Sequence, residues 1–143
     1  MKAIILAAGE GRRMRPLTLS KPKPMIEVLG KPLLQHIIES LPAEITELIL
    51  VVGYKADQIK AYFGDMFAGR KITYVYQEKP EGTAFALQLC KKYLSPGERF
   101  LFLFADDLHS AKAIQKLFRH KVGMLVRRHS DPRRFGVVEV DDR

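Results

Sequence analysis

A short aliphatic run that breaks into a glycine-punctuated, arginine-rich turn constrains this chain more than any other feature. Residues 3–8 read Ala3-Ile4-Ile5-Leu6-Ala7-Ala8, apolar without alternation, as in a strand buried on both faces of a sheet. Gly9 ends the run and Gly11 follows, so the backbone can turn tightly and approach a ligand with no side chain in the way. Arg12, Arg13 and Arg15 come next, then Pro16, and Lys23 stands in the extended segment Lys21-Pro22-Lys23-Pro24. Backbone N–H groups at a strand end, joined by fixed cations, suit a polyphosphate. The third glycine of the dinucleotide fingerprint is missing, and no Gly-Lys-Ser/Thr follows at Walker A spacing.

The rest of the chain supplies a sheet for that turn to sit on. Lys31-Pro32 introduces a helix carrying Leu33, Leu34, Ile37, Ile38 and Leu41 at helical spacing, and Pro42 ends it. Residues 45–53 form the next buried strand, and a helix follows from about Ala56 to Phe63. A third strand at 72–76 leads through Gln77-Glu78-Lys79-Pro80-Glu81-Gly82 into a helix beginning near Thr83. Its apolar residues, Cys90 among them, belong to the core. The very apolar strand 100–104 ends at Ala105-Asp106-Asp107. Residues 110–119 read as helix, 122–126 as strand, 127–134 as a basic loop and 136–140 as a last strand. Strands alternating with helices predict a mostly parallel sheet with helices on both faces. Ligands gather at the carboxyl ends of such strands, where Gly9–Arg15, Gln77–Thr83 and Asp106-Asp107 all fall.

Composition narrows the setting. The 143 residues fit one domain, residues 1–143, with a core of its own. No apolar run reaches the roughly 18 residues a membrane span needs, and the N-terminal run is too short for a signal peptide. Cys90 is the single cysteine, which excludes an internal disulfide and fits a reducing cytoplasm. No Cys/His spacing for zinc occurs. The net charge of +8 invites a nucleic-acid reading, but the basic residues are scattered and no interleaved aromatics accompany them. A phosphorylated small molecule asks for the same charge.

The opening stretch resembles the signature of the sugar-1-phosphate nucleotidylyltransferases, which runs L-A-A/G-G-x-G-x-R-[L/M]-x-P-L-T and then P-K-P. Here it reads Leu6-Ala7-Ala8-Gly9-Glu10-Gly11-Arg12-Arg13-Met14-Arg15-Pro16-Leu17-Thr18, then Pro22-Lys23-Pro24. Residues 131–138, Asp131-Pro132-Arg133-Arg134-Phe135-Gly136-Val137-Val138, resemble the family's D-P-x-x-[Y/F]-G-V-V segment. The resemblance implies a Rossmann-like three-layer α/β/α fold, truncated relative to the family domain, with the nucleotide half present and most of the sugar-binding half absent. It implies transfer of a nucleotidyl group from a nucleoside triphosphate to a sugar 1-phosphate. Arg13 would hold the departing phosphates and Lys23 would bridge the α-phosphate and the sugar phosphate. Leu6, Ala8, Gly9, Gly11, Gln77, Gly82 and Thr83 would bind the nucleotide, and Gly136 would approach the sugar. Asp106, with Ala105 in place of the usual glycine, would hold Mg²⁺.

Other readings of the same residues stand beside these. Asp106 or Asp107 could cap the helix starting near Ser110. Gly82-Thr83 could be a turn glycine and a capping threonine, which is compatible with a nucleotide role. His109 reads as a solvated loop histidine rather than a ligand. An amide at Gln77 offers a donor and an acceptor together, as a pyrimidine edge needs, so UTP or dTTP is favoured, and the family pattern also admits GTP. A nucleotide-and-metal-binding module without turnover is the alternative to an enzyme. Neither nucleic acid nor a membrane is an expected partner. A homo-oligomer is expected from the edge that a strand at 136–140 would expose.

Overall fold

The computed structural model describes residues 1–79 and 81–139. Its centre is strand β1 (Lys2–Ala7), which pairs in parallel with β4 (Glu47–Val52) on one side and β7 (Phe100–Phe104) on the other. Beyond β4 comes β6 (Arg70–Tyr76), also parallel, and then the two-residue β5 (Met66–Phe67), antiparallel to β6. The order is β5-β6-β4-β1-β7. A separate two-stranded hairpin joins β2 (Glu27–Val28) to β3 (Lys31–Pro32). Leu29 and Gly30 turn it with φ of 50° and 78°, the paired left-handed residues of a tight hairpin turn.

Alternation along β1 builds two cores. Ala3, Ile5 and Ala7 face a large apolar cluster with α2 (Leu33–Glu39), α3 (Ala56–Phe63) and α5 (Ala111–Leu117). Ile4 faces the opposite layer, with Ile49, Val51, Val75 and residues Ala86 and Cys90 of and just after α4 (Thr83–Leu89). The remaining helix, α1 (Leu17–Ser20), belongs to neither layer and lies beside the turn that follows β1. Both faces of the sheet are therefore covered, and the expected parallel three-layer arrangement holds. Fully buried strands need no polar face, which is why β1 and β4 read as uninterrupted aliphatic runs.

This strand order fixes where a ligand can go. The chain proceeds from β1 outward through β4 and β6, then returns across the sheet to lay β7 on the other side of β1. The return runs through α4 on the face opposite α2 and α3, and a crevice opens at the carboxyl ends of the strands where it crosses.

Two expected strands are corrected. Residues 122–126 and 136–139 form no strand, and Val140 lies outside the described residues, as does Pro80 of the 77–82 connection. Val122, Met124 and Val126 are 90%, 70% and 64% exposed. β-branched residues make a strand only where a neighbouring edge accepts their hydrogen bonds, and here the segment pairs with none. The unpaired edge expected at 136–140 instead runs along β7, beside which no further strand lies among the described residues. The helix expected after Pro32 and the helices near 56, 83 and 110 form, the last as residues 111–117. No described helix is long and apolar enough to cross a membrane.

Candidate active site

The crevice holds a cavity of about 840 Å³. The turn after β1 forms one wall with Leu6, Ala8, Gly9, Gly11 and Arg13, and Lys23 stands beside it. The connection after β6 forms another with Gln77, Gly82 and Thr83, and Asp106 closes it from the end of β7. Ten of the eleven residues singled out for the site thus share one cavity. Gly136 does not line it and lies in the exposed segment after the Pro132–Arg134 turn.

Each wall is held for a local reason. Gly11 has φ of 64°, and a Cβ there would come within 2.9 Å of the Thr18 methyl and 3.0 Å of the Lys23 Cβ. The turn can therefore pack against Thr18 and Lys23 only as glycine. Lys23 is fixed from behind, because Pro24 and Met25 are buried and the Met25 and Ile26 N–H groups bond back to Pro22 and Lys23 carbonyls at 2.8 and 3.1 Å. Gln77 is only 9% exposed, and its N–H donates to the Val52 carbonyl at 2.8 Å. Its side-chain amide has no protein partner among the described residues and remains available to a ligand edge.

The charges are sorted. Glu10 accepts from the Arg12 Nε at 2.7 Å and lies 3.7 Å from an Arg15 nitrogen. The Arg12 hydrogen bond holds the Glu10 carboxyl below the usual carboxylate range, with smaller help from the Arg12 and Arg15 charges against desolvation. Arg13 has no carboxylate partner among the described residues, so its charge is uncompensated at the cavity wall. Lys23 ion-pairs with Asp106 across the crevice.

The capping alternative for the two aspartates is removed by Ser110. Its hydroxyl accepts from the Ala113 N–H at 3.3 Å and caps α5. Asp107 instead lies 3.3 Å from the His109 Nε2, and neither residue lines the cavity. Thr83 caps nothing: Gly82 occupies the cap position with φ of 93°, and Thr83 is the first helical residue. Among the described residues no three His, Cys, Asp or Glu side chains gather into a cation cage. Asp106 beside a phosphate site suits Mg²⁺, which binds through one or two carboxylates and completes its shell with substrate oxygens and water.

Gly53, Tyr54, Lys55 and Tyr76 also line the cavity and were not singled out from sequence. Their signal was the same topology rule, since Gly53 directly follows the carboxyl end of β4.

A strand-to-glycine turn, cations and a carboxylate meet in this cavity, an arrangement chemically suited to polyphosphate oxygens. The sequence model of the nucleotidyl transferase family matches residues 2–143. The chain belongs to that family. This nucleotidyl transferase chain is 37% identical over 140 residues to the bifunctional protein GlmU of Methanococcus maripaludis, covering 98% of this chain and 33% of that protein. It is 37% identical to the UTP–glucose-1-phosphate uridylyltransferase AglF of Haloferax volcanii, over 99% of this chain and 55% of the relative. A mannose-1-phosphate guanylyltransferase catalytic subunit beta from Dictyostelium discoideum is 36% identical, with 96% and 41% covered. The solved structure of a UDP-glucose pyrophosphorylase complexed with UDP-glucose matches with a TM-score of 0.70 and 25% identity, over 82% of this chain and 52% of that one. The nucleotidyl transferase chain thus spans between a third and just over half of the length of these proteins.

Proposed function

We propose that this chain carries the nucleotide- and phosphate-handling part of a sugar-1-phosphate nucleotidylyltransferase. An oxygen of the sugar 1-phosphate attacks the α-phosphorus of the nucleoside triphosphate, the bond to the β-phosphate oxygen breaks, and pyrophosphate leaves with the charge. Two polyanions must be brought together, so catalysis rests on positioning and charge stabilisation and needs no protein nucleophile. The observation that carries the reading is the meeting of Lys23 and Asp106 over a cavity one wall of which is the glycine turn.

In this reading Arg13 holds the departing phosphates, and Lys23 contacts the α-phosphate and the incoming sugar phosphate. Backbone groups of Ala8, Gly9 and Gly11 and the side chain of Leu6 receive the nucleotide. Gln77, Gly82 and Thr83 meet its base and ribose, and a pyrimidine triphosphate, UTP or dTTP, suits the Gln77 amide best. Asp106 would hold Mg²⁺, which supplies positive charge next to the phosphates when bound. Gly136 would approach the sugar only after residues 131–139 move against the cavity.

That last point favours a second reading: a module that binds nucleotide and metal without turnover. Pyrophosphate release separates the two. The assay supplies Mg²⁺, each nucleoside triphosphate in turn and a pool of sugar 1-phosphates. Release that requires both substrates supports the transferase and identifies the nucleotide. Saturable triphosphate binding without release supports the module. Absence of binding overturns both.

A further inference from the structure

The short helix α1 lies between the glycine turn and Lys23, and side-chain hydrogen bonds from Thr18, Tyr54 and Gln58 hold it there. Thr18 on α1 is 1% exposed and donates through Oγ1 to the Gly11 carbonyl at 3.0 Å, which ties the helix to the glycine turn. Three residues after α1 ends comes Lys23. A helix of four residues satisfies almost none of its own backbone groups, and its carbonyls must find donors elsewhere. The Tyr54 hydroxyl supplies one, at 3.1 Å from the Thr18 carbonyl and 3.3 Å from that of Leu19. Gln58 Nε2 donates to the Ser20 carbonyl at 3.0 Å.

Tyr54 is itself anchored at the other end of the turn. Its N–H donates to the Ala8 carbonyl at 3.3 Å, and it follows Gly53, where a Cβ would meet the Gln77 and Ala8 carbonyls at 2.9 and 3.1 Å. One residue therefore brackets the glycine turn, through its backbone at Ala8 and through its hydroxyl at Thr18.

We propose that Tyr54 is a positioning residue for the phosphate site, holding α1 so that the glycine turn and Lys23 face the same point. The proposal rests on the nucleotidylyltransferase reading. Gln77, Gly82 and Thr83, which meet the base in that reading, hang from β6 and α4 and do not depend on α1. Loss of the hydroxyl should therefore weaken triphosphate binding and spare the nucleoside.

The test compares wild type with Tyr54→Phe by calorimetry with UTP and Mg²⁺ and by NMR titration with uridine. The expected result is an affinity for UTP lowered about tenfold, the value of one hydrogen bond, with uridine affinity unchanged. Gln58→Ala should move UTP affinity in the same direction, and it decides the matter if Tyr54→Phe does not fold. A wild-type chain that binds neither probe overturns this proposal together with the functional reading. A wild-type chain that binds both, with Tyr54→Phe equal to it or weakened equally for both probes, overturns the positioning role alone.

Discussion

Lys23 and Asp106, 83 residues apart, form an ion pair across the mouth of the crevice between β1 and β7. The pairing means that each group occupies the other's partner position. In the proposed reading a nucleotide would offer phosphate to Lys23 and so free Asp106 for a cation. Removing the ammonium should do the same without a nucleotide. Lys23→Met is expected to raise the affinity of the nucleotide-free chain for Mn²⁺ about threefold, in keeping with the modest value of a half-exposed ion pair. Paramagnetic resonance of free Mn²⁺ reads this directly. Equal binding by the variant and the wild type would show that the two groups do not compete.

The arginines next to the glycine turn are unequal, and substitution should show it. Arg12 and Arg15 share the Glu10 carboxylate, whereas Arg13 lines the cavity with no carboxylate partner among the described residues. A phosphate gains a full charge-assisted hydrogen bond only from the free guanidinium. Arg13→Ala should weaken UTP affinity by about tenfold or more, and Arg12→Ala by less than about threefold. The Arg13 loss should shrink as salt rises, because screening removes the same interaction. Equal losses at the two positions would contradict the assignment of Arg13.

If Lys23 stabilises charge in the transition state, its loss should fall on turnover more than on binding. Lys23→Ala is expected to raise the barrier by about 2–4 kcal/mol, the scale of one lost charge-stabilising donor. The quantity to compare is kcat for pyrophosphate release beside the UTP dissociation constant. A variant retaining most of its kcat would remove Lys23 from the chemistry.

The carboxyl end of β4 offers a stability test. Gly53 sits just past the carboxyl end of β4, between the residues that follow β1 and β6, and both of its nearest neighbours are the backbone carbonyls of Gln77 and Ala8. Neither can rotate away as a side chain could. Gly53→Ala should cost about 1–3 kcal/mol by urea unfolding, the ordinary range for overpacking. It should also displace Tyr54 and so weaken UTP binding.

How much of this was legible in the sequence follows from which interactions are local. β1 and β4 announce themselves because strands buried on both faces are continuous aliphatic runs, β7 because its five residues are all apolar, and Gly9-x-Gly11 marks where the first one stops. The convergence of Gly9–Arg15, Gln77–Thr83 and Asp106 followed from the rule that parallel strands align their carboxyl ends, whereas Lys23, away from any strand end, was legible only through the family resemblance. Tyr54 was missed because its role lies in two carbonyls of a four-residue helix with no sequence pattern of its own. Residues 122–126 misled for the opposite reason. Their valines have strand propensity, but propensity is a statement about fitting a sheet, and no partner edge reaches them.

The last expectation concerns alkaline pH and the smaller core. Cys90 is completely buried in that cluster, its thiol 3.4 Å from the Ala86 carbonyl, and burial pushes its pKa from 9.0 up to about 11. Tyr74 is raised from 10.0 to about 12, mainly by burial and secondarily by the Asp65 charge. Both groups ionise more easily in the unfolded chain than in the folded one. Their contribution to stability is therefore complete below pH 9 and is lost as the pH rises, first through the window of Cys90 between 9 and 11 and then through that of Tyr74. Cys90→Ala should lower stability at neutral pH by a small cavity cost and flatten the decline between pH 9 and 11. Urea midpoints at pH 7.5, 9 and 10.5 measure both effects. Parallel declines in the two proteins would mean that the thiol does not ionise on unfolding in that range. A thiol reagent at pH 8 should then be consulted: slow labelling of the folded wild type, fast in urea, fixes the burial on which the whole argument depends.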